Sequence, residues 1–224
     1  MGSTLKKDTN LYLQLAGKIA VNLGSLPVDV VEHFNENADQ IPEALRRGFV
    51  VPSKFALLAD LGIITVPEDY DHSTRLAEFR HNNYYKFYSY DHTITDANFG
   101  NPTRILKPGD KLWVRAFKQI VPGTTTSEER MAFLATQEAI HTGAQGLSLV
   151  FEQKRDQLPK GKSYVSFDEP DRLWQDAGGD YGVPSVYCFS DGDFEFDLGR
   201  FERVWRTGFA FLYFCDLEPE SSGA

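Results

Sequence analysis

An α+β fold is predicted by three observations. Short helical patterns punctuated by proline and glycine fill the first half of the chain. A β-α-β order begins at Lys111, and aromatic, strand-like sequence follows from Asp180 to Leu217. Pro27 before VDVVEHF and Pro42 before EALRRG each place proline in the first turn of a helix. Ser53 to Leu61 reads as a further helix stopped by Gly62, and Ile63 to Val66 as a short strand ahead of Pro67. Asp71 to Asn82 reads as a helix with Leu76 and Phe79 on one side, and Tyr84 to Tyr90 as a strand. Turn formers from Asn101 to Asp110 mark a break.

After the break, KLWVRAFKQI alternates, with Leu112, Val114 and Ala116 on one face and Trp113, Arg115 and Phe117 on the other. Thr126-x-x-Glu129 has the spacing of a capping box, in which a hydroxyl and a carboxylate satisfy the free amides that open a helix. That helix is expected to run to about His141, with Met131, Leu134, Ala135 and Ala139 at helical spacing and Gly143 closing it. Leu147 to Phe151 and Lys162 to Phe167 read as strands. The expected division is a small, mixed, mainly helical accessory module over 1–105, a second domain over 106–217 and a tail over 218–224.

Composition excludes several functions. Hydrophobic content of 42% with 25% charged residues is that of a soluble globular protein. A net charge of −9 without any basic run argues against nucleic acid and against anionic membranes, both of which need phosphates neutralised. No apolar run approaches the roughly 18 residues of a membrane span. Gln14, Gly17 and Lys18 interrupt the N-terminal apolar stretch too early for a signal peptide, so a cytoplasmic or virion-associated setting is expected. The two cysteines, Cys188 and Cys215, are expected as free thiols.

Chemistry-bearing motifs are sparse. The five histidines lack zinc-ligand spacing, and no nucleotide or nucleophile fingerprint occurs. Glu169-Pro170-Asp171 has carboxylates suited to calcium, but a match of three residues is weak and an ordinary proline turn is the favoured reading. Asp191, Asp193, Glu195 and Asp197 recur at intervals of two, which on a strand lines one face with carboxylates and leaves Phe194, Phe196 and Leu198 on the other. Paired carboxylates serve glycoside hydrolysis, so a hydrolase using Asp193 and Asp197 is the alternative to a binding role. A structural subunit of a virus or cell surface is a third reading. No cofactor and no metal is expected.

The most informative stretch is Asp180 to Leu217. Phe194, Phe196, Leu198, Phe201, Trp205, Phe211, Leu212 and Phe214 form a candidate core. Interleaved with them, counting Tyr181 at the start of the block, are Tyr181, Ser185, Tyr187, Cys188, Phe189, Asp193, Asp197, Arg200, Arg203, Arg206, Thr207, Phe209, Ala210 and Tyr213, which share no chemistry. They do share a genetic property. Randomising both adenines of an AAC or AAT codon reaches every one of these residue types and never gives Lys, Gln, Glu, Met or Trp. The segment contains no Lys, Gln or Met, while Glu195 and Glu202 depart from the pattern. An aromatic-rich β end of an ordinary α+β domain is the plain alternative.

In this interleaving the block resembles the variable region of proteins diversified by diversity-generating retroelements. The resemblance covers roughly Lys111 to Leu217. It implies a C-type lectin-like domain at the C-terminus, and a non-enzymatic protein that binds an unknown protein or cell-surface ligand. The ligand-binding positions it implies are the interleaved residues above without Ala210, with Tyr187, Phe189, Phe209, Tyr213, Arg203 and Arg206 foremost, because Tyr, Phe and Arg dominate binding hot spots.

Overall fold

The computed structural model describes residues 28–40, 53–83, 86 and 93–217. The expected helix after Pro42 and nearly all of the expected strand Tyr84 to Tyr90 lie outside them. The chain divides into two compact units, Met1–Ser53 and Lys54–Ala224. In the first, helix α1 (Val28–Glu36) follows Pro27 as expected, and its end is tied by Asn37 Nδ2 donating to the His33 carbonyl at 2.8 Å.

The second unit is α+β and is built on one mixed sheet of seven strands. Its elements in chain order are β1 (Phe55–Thr65), α2 (Arg75–Asn83), α3 (Asp96–Phe99), β2 (Lys111–Gln119), α4 (Ser127–Thr136), α5 (Gly143–Lys154), β3 (Lys162–Val165), β4 (Trp174–Gln175), β5 (Tyr181–Cys188), β6 (Phe194–Arg200) and β7 (Phe209–Asp216). The strand order is β1-β2-β7-β3-β5-β4, with β6 on the other edge of β5. All pairings are antiparallel except β3 with β7.

Several expectations are corrected here. Phe55–Leu61 belong to strand β1, not to a helix, and β1 pairs along β2 from Phe55↔Gln119 to Thr65↔Lys111. The unit boundary therefore falls at Ser53/Lys54, not at 105/106, because a cut at 105 would strip an edge strand and α2 from the sheet they pack on. Leu147–Phe151 lies within helix α5, which Gly143 opens at φ +56 instead of closing the helix before it. Helix α4 ends at Thr136, short of His141.

Each face of the sheet is covered differently. On one face Val114, Ala116, Leu212, Phe214, Val186, Cys188 and Phe196 are buried under α5 and α2. Phe196 meets Phe151 and Phe79 edge-on, with ring centroids at 4.8 Å in both pairs. Arg75 ties α2 to α5 by donating to Ser148 Oγ at 2.9 Å and pairing with Glu152 at 2.5 Å. On the opposite face α4 covers only part of the sheet. Its Phe133 packs on Phe55, Phe117 and Phe211 at 5.1, 5.0 and 5.9 Å. Phe133 is itself only partly buried, so it contributes less than the roughly 1.5–3 kcal/mol of a fully buried side chain. The capping box that opens α4 is complete: Thr126 Oγ1 accepts from Glu129 N–H at 3.2 Å and Glu129 Oε2 from Thr126 N–H at 2.7 Å. No described helix is long and apolar enough to cross a membrane.

Candidate functional site

Strand register decides which side chains share a surface. On the face that α4 only partly covers, Glu195 of β6 stands opposite Tyr187 of β5, Tyr187 opposite Ser163 of β3, and Ser163 beside Phe209 of β7. These four form one row across four strands, and all four are half-exposed. The next row, Asp197, Ser185, Val165 and Phe211, starts half-exposed at Asp197 and is buried at the other three positions. The exposed row therefore borders a packed core.

The turn after β5 extends the row. Phe189 sits edge-on to Tyr187 with centroids at 4.6 Å. Gly192, at φ +96, supplies the left-handed backbone that brings the chain back into β6. At the other end Arg203 lies over the Phe209 and Trp205 rings, 4.7 and 5.1 Å from their centroids, a cation–π arrangement. Arg206 and Thr207 are exposed in the same loop.

That loop is anchored from below. Arg130 of α4 is fully buried. Its Nε donates to Thr125 Oγ1 at 3.0 Å, Nη1 to the Phe209 carbonyl at 3.0 Å and Nη2 to the Arg206 carbonyl at 3.4 Å. Its guanidinium lies 5.6 Å from the Trp205 ring and 5.2 Å from that of Phe211. Burial lowers its pKa to about 10, which still leaves it charged at neutral pH. Trp205 is buried outright, and its Nε1 donates to Ser127 Oγ at 2.7 Å.

The acidic strand divides in the same alternating way. Glu195 and Asp197 share the row's face, while Phe194, Phe196 and Leu198 face α5 and α2. Burial raises the pKa of both carboxyls, and for Glu195 the neighbouring Asp197 charge adds to it. Asp197 Oδ1 accepts from Leu198 N–H at 2.8 Å. Asp193 lies in the exposed turn and is ion-paired with Lys86. Asp191 Oδ1 accepts from Asp193 N–H at 3.0 Å.

The residues expected at the site thus fall into separate places. Tyr187, Phe189, Asp193, Arg203, Arg206, Thr207 and Phe209 lie on the row or in the loops beside it, and Asp197 at the half-exposed end of the next row. Tyr181 and Arg200 lie at the opposite end of the β5–β6 hairpin. There they line a small cleft with Trp174 and Asp180, and Arg200 pairs with Asp180 at 2.7 Å.

Three expected positions are corrected. Cys188 points to the core face and is 1% exposed, and burial pushes its thiol up to about 12. Ser185 is buried behind the row, with Oγ donating to the Asp197 carbonyl at 3.2 Å. Tyr213 is 7% exposed; its hydroxyl donates to the Gln137 carbonyl at 3.1 Å, and its ring packs edge-on against Phe117. It shares a sheet face with Phe209 but lies four residues further along β7, beside Arg115, with Phe211 between it and the row.

Sequence reasoning missed Ser163 and Glu195. Ser163 lies outside the suspect block, and only its pairing with Tyr187 and Phe209 places it. Glu195 had been set aside as a departure from the codon pattern, although alternation along β6 already put it beside Asp197. Glu169 and Asp171 are exposed, flanking the start of a 3-10 turn (Pro170–Arg172), with Asp171 Oδ2 3.6 Å from Arg172 Nε. Among the described residues no group of three or more His, Cys, Asp or Glu side chains is placed to hold a metal ion. Comparison with protein-family models, with curated proteins and with solved structures returned no match.

Proposed function

We propose that this chain is a target-binding protein of the retroelement-diversified kind, with a C-type lectin-like scaffold from β2 to β7 that presents varied side chains to a protein or cell-surface ligand. The carrying observation is the row itself: Glu195, Tyr187, Ser163 and Phe209, half-exposed, side by side on four strands and bordered by Phe189 and Arg203. The arrangement separates display from folding. Substitutions at exposed positions on such a row stay within about 0.5 kcal/mol of neutral, while the buried Phe196, Trp205 and Phe211 beneath carry the stability.

Element order supports the scaffold. A strand, two helices, a strand, a loop-rich stretch and three late strands follow one another, and the first and last of these strands, β2 and β7, are antiparallel neighbours. The hydrolytic alternative has less support, because Asp193, one of its two carboxylates, is exposed and held by Lys86. A general acid needs a site that raises its pKa and a fixed distance to its partner.

The test is to sequence sibling copies of the gene. Changes should concentrate at Tyr187, Phe189, Arg203, Arg206 and Phe209, with Phe196, Trp205 and Phe211 constant. The neighbouring genome should hold a reverse transcriptase and a near-copy of the coding segment with adenines at the varied bases. Changes spread evenly along the chain would refute the reading.

A further inference from the structure

The row is electrically polar along its length. Its β7 end carries the Arg203 cation, already engaged over two aromatic rings. Its β6 end carries Glu195 and Asp197, adjacent on one strand and one face. Several carboxylates of this unit are ion-paired, Asp193 with Lys86, Asp60 with Arg115, Asp180 with Arg200, Asp216 with Arg104 and Glu152 with Arg75, while others, Asp168, Asp176 and Glu202 among them, are held by backbone N–H groups. Among the described residues, Glu195 and Asp197 have no cation within 4.0 Å, and the Glu195 carboxylate accepts no hydrogen bond. Tyr187 stands directly across from Glu195, with Phe189 edge-on behind it. Among the described residues Glu195 has no polar partner, and Asp197 has one oxygen on Leu198 N–H and feels the Arg203 charge from beyond ion-pair distance; together beside the Tyr187 and Phe189 rings they leave a negative, accessible corner that complements a cation on an organic stem.

We propose that this face docks a basic protein segment, with a Lys or Arg side chain of the partner seated against Glu195 and Asp197 beside the Tyr187 ring. The inference rests on the docking-face reading above and adds the partner's charge and its orientation. A guanidinium or ammonium there gains two carboxylate partners and an aromatic neighbour at once. The rest of the segment crosses β5 and β3 and carries no second base near Phe209, where Arg203 would repel it. A phosphate-bearing partner is disfavoured by the same two carboxylates and by the net charge of −9.

The probe is a displayed library of random peptides about a dozen residues long, panned on the immobilised full chain. Parallel baits are the Glu195→Gln/Asp197→Asn and Tyr187→Ala/Arg203→Ala variants, each checked by a thermal melt. The expected result is enrichment of peptides with Lys or Arg at one fixed position. Their affinity should fall about tenfold or more on Glu195→Gln/Asp197→Asn and weaken with added salt. Peptides without basic bias that bind this variant undiminished, yet lose binding to Tyr187→Ala/Arg203→Ala, would overturn the charge assignment and leave the docking face standing. Peptides indifferent to both pairs of substitutions, or a library from which nothing enriches, would overturn the docking face as well.

Discussion

Trp205 and Gly199 make a sharp test of the packing beneath the row. A Cβ at Gly199 would lie 2.5 Å from Trp205 Cη2 and 3.0 Å from Cζ3, closer than real Cβ contacts come. The indole has little room to retreat. Its Nε1 is held by Ser127 Oγ at 2.7 Å, and its backbone exchanges hydrogen bonds with Thr125 at 2.9 and 2.7 Å. Gly199→Ala should therefore cost about 1–3 kcal/mol as overpacking. Trp205→Phe should cost about 2 kcal/mol through lost ring volume and the lost hydrogen bond. Phe lacks the outer ring atoms that meet the new methyl, so in the Trp205→Phe background Gly199→Ala should cost nothing, or gain up to about 0.5–1 kcal/mol because Ala loses less backbone entropy than Gly. The two changes should thus couple by about 1–4 kcal/mol. Urea unfolding of wild type, both single variants and the double variant measures this, with an unchanged slope as the check that the unfolded state is not altered. Equal losses from Gly199→Ala in both backgrounds would refute the argument.

Other expectations concern separate parts of the unit. Thr126→Ala removes half of the capping box on α4 and should lower stability by about 1 kcal/mol in the same melts; a loss within error would mean that Glu129 alone satisfies the helix start. Alkylation of the folded chain near pH 8 should modify Cys215 and spare Cys188, whose buried thiol titrates at about 12, until denaturant is added; mass spectrometry of the digests reads this directly. Asp197 has a folded pKa raised above 3.8, so its contribution to stability is fully present below that value and is lost as pH rises through the folded pKa. Asp197→Asn removes this loss, so the stability of the variant relative to wild type should rise with pH from about 4 and then level off. A flat difference curve across that range would mean that Asp197 is as well solvated folded as unfolded.

The sequence was most legible where one face alone is buried. In β6 the alternation of carboxylates with Phe194, Phe196 and Leu198 separated the two faces as the structure has them, and the capping box located the start of α4 to the residue. It misled where the pattern was interrupted or saturated. β1 carries two register shifts, between Leu57 and Ala59 and between Asp60 and Gly62, which break its period of two and imitate helical spacing. From Gly143 to Phe151 every residue of α5 is buried, so no polar face marks its period, and its apolar run looked like a strand. Of the positions named in the block, Tyr187, Phe189, Arg203 and Phe209 are accessible on one sheet face or in the loops beside it. Cys188 could have been excluded by counting, since it is out of step with Ser185 and Tyr187. Ser163 could not have been found that way, because its neighbours come from strands far along the chain.

The Arg130 anchor holds the loop through the carbonyls of Arg206 and Phe209, and those oxygens are the same whatever side chains those positions carry. The clasp is thus blind to the identity of the residues it fixes, and it originates in a helix outside the interleaved block. A gene that rewrote positions 206 and 209 at every generation would keep an unchanged hinge beneath them, and the inherited part of the protein would set the geometry in which each new surface is tried.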